Sequence, residues 1–235
     1  MWGKKTVSVI IPASKKQESI FDVIQEYDST GYVDEVIVVD NGIDEETESK
    51  IKKTRARLVK QRIHGYARSI RSGIKNTKAE LIIVTDANGF FKGKDVLKLL
   101  AYSDDFDMVF GSRTHKPLIE ADSGMNFLRC LVDDIFGKLI TLLFLSSSLT
   151  DVGCVLRLTN RKAWAKVNKE CTIGDELFLT QWLINAAKNK VRFIEVPVNY
   201  RPSSSSSYSD SFIFQFVRAV RIFFSIWSTR LFGLR

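Results

Sequence analysis

Cysteine and histidine are scarce in this 235-residue chain, at three and two copies. Cys130, Cys154 and Cys171 are widely spaced, with no CxxC and no Cys/His grouping. That excludes a structural zinc knuckle and a disulfide framework, and it predicts a reducing compartment. No apolar run reaches the roughly 18 uninterrupted residues of a membrane-spanning helix. The opening stretch MWGKKTVSVIIP ends its short apolar run at Pro12, so no secretory leader is expected. Neither G-x-G-x-x-G after the first apolar run nor G-x-x-x-x-G-K-[ST] is present, which removes the main support for a dinucleotide or P-loop site. There is no internal repeat and no obvious linker.

What is abundant is positive charge. The net charge is +8 and the pI about 9.4, on an ordinary globular background of 45% hydrophobic and 26% charged residues. This balance favours polyanionic partners such as nucleic acid, acidic headgroups or phosphorylated small molecules. The basic residues are scattered along the chain rather than clustered on one helix for a groove, so nucleic acid is not expected.

Apolar runs alternate with amphipathic segments through the first half. Strands are predicted at Thr6–Pro12, Asp34–Asp40, Ala56–Gln61, Leu81–Thr85 and Asp107–Ser112. Helices are predicted at Ser19–Tyr27 with Ser19 as cap, at about Asp44–Thr54, at Gly65–Asn76 and at Lys94–Tyr102. Strand–helix alternation implies crossover units and a mainly parallel α/β sheet, with functional loops at its carboxyl edge. The second half predicts a long helix over Met125–Leu145 interrupted near Gly137, and a strand over Asp151–Thr159. A periodic helix over Gly174–Asn189, a strand over Val191–Tyr200 and a flexible Ser-rich loop follow.

Three predicted strand ends carry polar residues: Pro12–Ser14, Asp40–Gly42 and Asp86–Asn88. One such end is an ordinary turn former; three on one sheet edge indicate a ligand crevice. Asp86 and Asn88, flanking Ala87, can present oxygen to a common Mg²⁺ or Mn²⁺ carried with a diphosphate. Asp40 either accepts hydrogen bonds from a base or ribose or caps the segment after it. Gly65 and Arg68 either attract an anion at a helix start or simply begin a surface helix.

The ordered set SVIIPASKKQESI, VIVVDNGIDEET, GYARSIRSGI, LIIVTDANG, FGSR, DVGCVLRLTNR and RFIEVPVNYRP resembles the family 2 inverting glycosyltransferases of GT-A (Rossmann-like) fold. Within that family it is similar to the dolichol-phosphate mannose synthase and polyprenyl-phosphate branch, over roughly Val7 to Pro202. The resemblance implies that Pro12, Ala13 and Asp40 line the base and ribose, with Ser14, Gly65, Arg68 and Ala87 in the same nucleotide-sugar site. It places Asp86 and Asn88 in the family's D-x-D, on a divalent cation. It sends Arg113 to the donor phosphates from the rim, sets Arg129 before the reacting phosphates, and puts Arg201 at the root of a loop that closes over the donor. Departures accompany it. Ser14, Lys15 and Lys16 replace an aromatic, an Asn and a Glu, and Asn88 replaces the second carboxylate. Asp133 and Asp134 stand where relatives that bind a lipid phosphate tend to have a Ser and an Asn; two carboxylates facing the site would repel a phosphate.

Inversion requires in-line attack on the anomeric carbon. A phosphate acceptor needs no base, whereas a hydroxyl acceptor does, and Asp175 or Glu176 is the candidate. The same pair is equally suited to capping the helix that follows. The tail places Phe212, Phe216, Val220, Phe223, Phe224, Trp227 and Leu231 at helical spacing with Arg218, Arg221 and Arg230 between them. This predicts an amphipathic helix lying in a membrane interface or packed on the catalytic lobe. The expected protein is one GT-A domain over 1–205, with a nucleotide-sugar half (1–113) and an acceptor half (114–205), followed by loop and tail helix over 206–235. Its expected partners are a nucleotide-diphosphate sugar, a lipid phosphate and a cytoplasmic membrane surface on which it is peripheral. The alternatives are a hydroxyl acceptor or a catalytically weak sugar-nucleotide-binding protein.

Overall fold

A computed structural model describes residues 1–15, 17–171, 174–175, 177–203 and 212–232, the last segment with side chains from 215 to 231. The first half contains β1 (Val7–Lys15), α1 (Ile20–Asp28), β2 (Glu35–Ile43), α2 (Glu45–Lys52), β3 (Arg57–Val59), α3 (Tyr66–Asn76), β4 (Leu81–Val84), α4 (Val96–Leu100) and β5 (Met108–Ser112). Next come α5 (Phe127–Phe144), β6 (Arg157–Asn160), α6 (Arg161–Asn168), α7 (Phe178–Lys188), β7 (Phe193–Pro197) and α8 (Phe212–Phe232). The strands form one seven-stranded sheet in the order β3-β2-β1-β4-β6-β5-β7. Every pairing is parallel except those made by β6, which runs antiparallel to both β4 and β5. The mainly parallel α/β sheet and the C-terminal helix are as expected from the sequence.

The central strands are apolar on both faces because helices cover both. Ile10, Ile37, Val39, Ile82 and Val84 point into one core with α3, α5, α6, α7 and the inner face of α8. Their chain neighbours Val9, Ile11, Val36, Val38, Leu81 and Ile83 point into a second core with α1, α2 and α4. This period-two split of continuous apolar runs is the signature of a sheet buried between two layers. On α8, Gln215, Ile222, Ser225 and Ile226 are buried, whereas Phe216, Val220, Phe223, Phe224 and Leu231 are exposed. The tail helix is therefore two-sided.

Five local expectations are corrected. β1 continues past Pro12 to Lys15. Ser19 sits at the start of α1 without capping it; its hydroxyl donates to the Asn88 carbonyl at 3.2 Å. Of the expected strand over Asp151–Thr159 only the part from Arg157 on pairs in the sheet, as β6 (Arg157–Asn160), since the Asp151 amide and carboxylate are engaged elsewhere, as shown below. α5 is continuous through Gly137. That glycine is there for proximity: a Cβ on it would lie 2.5 Å from the Leu149 carbonyl oxygen. The strand over Val191–Tyr200 shortens to β7, at the sheet edge where Pro197 is tolerated. Residues 204–211, which include most of the Ser-rich loop, and Lys16 and Glu176 lie outside the described residues.

Candidate active site

β2, β1 and β4 are adjacent and parallel, so their carboxyl ends open onto one edge. A cavity of about 490 Å³ lies there. The strand-end loops supply Pro12, Ser14, Gln17, Asn41, Asp86, Ala87 and Asn88 to its wall; later segments supply Arg129, Gly153, Asp175, Thr180, Arg218 and Arg221. Pro12, Ser14, Asp86, Ala87, Asn88, Arg129 and Asp175 were singled out from the sequence and all line this cavity.

The Asp86–Asn88 loop is tightly held. An Asp86 carboxylate oxygen accepts the Asn88 amide at 2.8 Å. Asn88's own carbonyl accepts from Ser19 and, at 2.7 Å, from Ser203. Gly89 takes the left-handed turn at φ +78°. Burial pushes the Asp86 carboxyl up to about 6, against the pull of the amides of Asn88, Phe90 and Gly89. Arg201 braces the loop from outside: its guanidinium donates to the Gly89 carbonyl and to Glu26, each at 2.6 Å.

Other candidates sit elsewhere. Asp40 accepts the amides of Gly42 and Ile43 at 2.8 and 3.1 Å, so its carboxylate caps the turn, and it is the neighbouring Asn41 that reaches the cavity. Ala13 is fully buried beneath the wall. The Gly65 amide donates to Asn41 at 2.6 Å, Arg68 is exposed, and Tyr66 between them lines the cavity instead. Arg113 is not on a rim. It is 2% exposed and fully engaged with Asp151, accepted by both carboxylate oxygens at 2.8 Å.

Arg113 anchors a buried charge cluster that the sequence reading did not assemble. Burial opposes the ionised Asp151, but the Arg113 guanidinium holds its carboxyl at about 2. Glu195 on β7 accepts the amides of Thr150 and Asp151 and the Thr150 hydroxyl at 2.7–2.8 Å. Burial, then the nearby Asp151 charge, pushes Glu195 up to about 7. Asp133 on α5 is 0% exposed; it pairs with Arg218 of α8 at 2.5 Å and lies 3.5 Å from Arg113. Asp134 faces outward and pairs with Lys138. The two carboxylates that would have repelled a phosphate are thus neutralised or turned away.

Asp175 accepts the Leu177 amide at 2.9 Å and pairs with Arg221. Desolvation opposes ionisation, but the hydrogen bond from Arg221 and the Leu177 amide hold the carboxyl below its ordinary value. It therefore holds the turn ahead of α7 without capping that helix, whose N-terminal residue Leu177 has no side-chain cap, and it is a weak proton acceptor. Among the described residues no group of three or more His, Cys, Asp or Glu side chains gathers. Asp86 and Asn88 still fit a hard divalent ion: they offer two oxygen donors, one of them a desolvated carboxylate, and leave the rest of the coordination to phosphates and water.

The profile described as "Glycosyl transferase family 2" matches residues 8–164. An uncharacterized protein of Methanocaldococcus jannaschii is 26% identical over 212 residues, 83% of this chain and 82% of that one. An undecaprenyl-phosphate 4-deoxy-4-formamido-L-arabinose transferase of Salmonella paratyphi B is 26% identical over 67% of this chain, which spans only 49% of that relative. Among solved structures, the glucosyl-3-phosphoglycerate synthase of Mycobacterium tuberculosis in complex with Mn²⁺, UDP and glucosyl-3-phosphoglycerate superposes with a TM-score of 0.70 at 14% identity, covering 97% of this chain and 80% of that one. Its complex with phosphoglyceric acid gives a TM-score of 0.73 at 15% identity, with the same coverage. With the family profile spanning β1 to α6 and the α/β sheet matched over nearly its full length, this chain belongs to glycosyl transferase family 2 and is a glycosyltransferase of GT-A fold.

Proposed function

We propose that the protein transfers a hexose, with inversion, from a nucleotide-diphosphate sugar to a polyprenyl phosphate at a membrane surface. The observation that carries this is one cavity lined by two chemically distinct sets of side chains: the Asp86–Asn88 loop, and the arginines Arg129, Arg218 and Arg221. In this reading the strand-end residues Pro12, Ser14 and Asn41 hold the nucleoside. Asp86 and Asn88 would hold a divalent cation, which when bound offsets negative charge on the diphosphate. An acceptor phosphate oxygen, already ionised, forms the new bond to the anomeric carbon as the bond to the diphosphate breaks, and the electron pair leaves with the nucleoside diphosphate. No base is needed, which agrees with an Asp175 tied to Arg221. Both the sugar transferase to undecaprenyl phosphate and the phosphoglycerate-binding synthase handle phosphate-bearing molecules by name.

The membrane part rests on surface chemistry. No helix among the described residues is long and apolar enough to cross a bilayer. Yet α5 exposes Phe127, Leu131, Ile135 and Leu142, and α8, which packs against it, exposes Phe216, Val220, Phe223, Phe224 and Leu231. α8 contains three arginines and no acidic residue. Aromatic, cationic, two-sided helices of this kind embed shallowly in headgroups.

The test is to incubate the protein with labelled GDP- and UDP-sugars, Mn²⁺ and vesicles containing polyprenyl phosphate. Label should enter the organic-extractable lipid; label that stays entirely in water-soluble material refutes the lipid acceptor. A thermal-shift series of nucleoside diphosphates with and without Mn²⁺ identifies the base.

A further inference from the structure

We propose that the tail helix is part of the reaction site, and that Arg218 and Arg221 form, with Arg129, a subsite for the phosphomonoester group of the acceptor. This rests on the reading that the acceptor bears a phosphate.

The two arginines are three residues apart on α8, hence on one helical face, and both line the cavity that contains Asp86 and Asn88. Arg129 on α5 lines the same cavity and is 8% exposed. A guanidinium is built for a phosphate: planar, permanently charged and able to donate two parallel hydrogen bonds. Arg218 has part of that capacity uncommitted. One terminal nitrogen is taken by Asp133, while the other is buried and has no hydrogen-bond partner among the described residues. Burying an N–H without an acceptor is unfavourable, so this nitrogen is poised for one. Gly153 keeps room for the guanidinium: a Cβ there would lie 2.6 Å from an Arg218 nitrogen and 3.1 Å from an Arg113 nitrogen.

Arg221 differs in kind. It and its partner Asp175 are each half exposed at the cavity wall, so the pair can open at little cost, and an incoming phosphate can take the place of the Asp175 carboxylate. Asp133 meanwhile removes the threat noted from the sequence, because its charge is met by Arg218 and Arg113. The cavity wall thus carries three arginines against Asp86 and Asp175. In the proposed reading Asp86 and Asn88 serve the donor diphosphate, which leaves the arginines for a second anion. Polyprenyl phosphate and a soluble phosphomonoester share this chemistry, and the test separates them.

The full-length protein is floated with phosphatidylcholine vesicles containing either polyprenyl phosphate or the matching uncharged polyprenol. In parallel, 3-phosphoglycerate and glycerate are compared as soluble probes by titration in the presence of nucleoside diphosphate. Wild type should bind the phosphate form of at least one pair about tenfold more tightly than its uncharged or dephosphorylated counterpart. R221Q, which leaves no buried charge behind, should lose most of that difference while binding polyprenol vesicles as wild type does; R221K should retain part of it. The paired variant D133N/R218Q, which removes both buried charges together, should also lose it. A difference confined to the lipid pair assigns a lipid acceptor, and one confined to the soluble pair a soluble acceptor; either supports the subsite. No phosphate-dependent difference in wild type, or one left intact in both R221Q and D133N/R218Q, overturns it. Sugar transfer is read separately: a protein that binds the phosphate through these arginines yet transfers no hexose refutes the proposed function and leaves the subsite standing.

Discussion

Removing Arg218 alone should cost more stability than removing it together with its partner. Asp133 is 0% exposed and its remaining cation, Arg113, is 3.5 Å away and already shared with Asp151. Substituting R218Q leaves a buried carboxylate without its close partner, a change that typically costs about 3 kcal/mol. D133N should cost less, because Arg218 lies nearer the surface and its charge can be hydrated. In the double variant no buried charge is stranded, so the loss should fall to about 1 kcal/mol, giving a coupling energy of at least about 2 kcal/mol. The pH dependence carries a sign. Burial already raises the Asp133 carboxyl, with Arg218 the largest opposing influence, so R218Q raises it further. Over the interval between the unfolded and folded values the native state holds the extra proton, and stability is lost as pH rises. The R218Q penalty should therefore be larger at pH 8 than at pH 5. Urea unfolding followed by fluorescence suits the measurement, since Trp164 and Trp182 lie in the core and Trp227 on α8 itself. Strictly additive losses, or a penalty that shrinks as pH rises, would refute the buried-pair reasoning.

Three further outcomes follow from the geometry. D86A should lower kcat/KM by about 10²–10³ and abolish any Mn²⁺-dependent thermal shift with nucleoside diphosphate; unchanged turnover would remove Asp86 from the donor site. Glu195 is raised to about 7, so its contribution to stability is complete below its ordinary value and is lost as pH rises through 7, by about 3 kcal/mol from this group. E195Q should flatten the wild-type decline between pH 5 and 8, as read by urea midpoints. G137A should destabilise by about 1–3 kcal/mol, because the added methyl would meet the Leu149 backbone at 2.5 Å; a melting temperature equal to wild type would show that this helix and loop separate easily.

The parts of the fold written by local pattern were legible in the sequence. β4 is four consecutive buried residues, Leu81–Val84, because it is central in the sheet, and β1 and β2 carry equally clear apolar runs. The cavity-bearing edge was legible for the same reason: a parallel sheet puts Pro12–Ser14, Asp40–Gly42 and Asp86–Asn88 at neighbouring strand ends, although it is Asn41 and not Asp40 that reaches the cavity. What could not be read was whatever depends on long-range placement. Arg113 follows a strand, as rim arginines do, yet Asp151, 38 residues later, turns it inward. Asp151 itself read as the start of a strand, since nothing in DVGC announces that both its amide and its carboxylate have partners from other elements. Arg218 and Arg221 read as the polar side of an amphipathic tail helix. Their second role emerges only when α8 folds back onto α5 and α7. Even so, the sequence carried a hint of it, in a tail helix with arginines three apart and two unexplained carboxylates on α5.

The one reversed strand has a consequence for how the chain is made. β4 and β5 are both complete by residue 112, but they are not neighbours; β6, ending at Asn160, is inserted between them. During synthesis, then, two strands that are fully buried in the finished fold wait some 45 residues of translation for the segment that joins them, each with an open hydrogen-bonding edge. A fragment cut just after β5 would hold that state permanently and should aggregate by edge pairing. Genetic division of this chain between β5 and β6 is thereby opposed by the sheet itself, whatever the loops on either side tolerate.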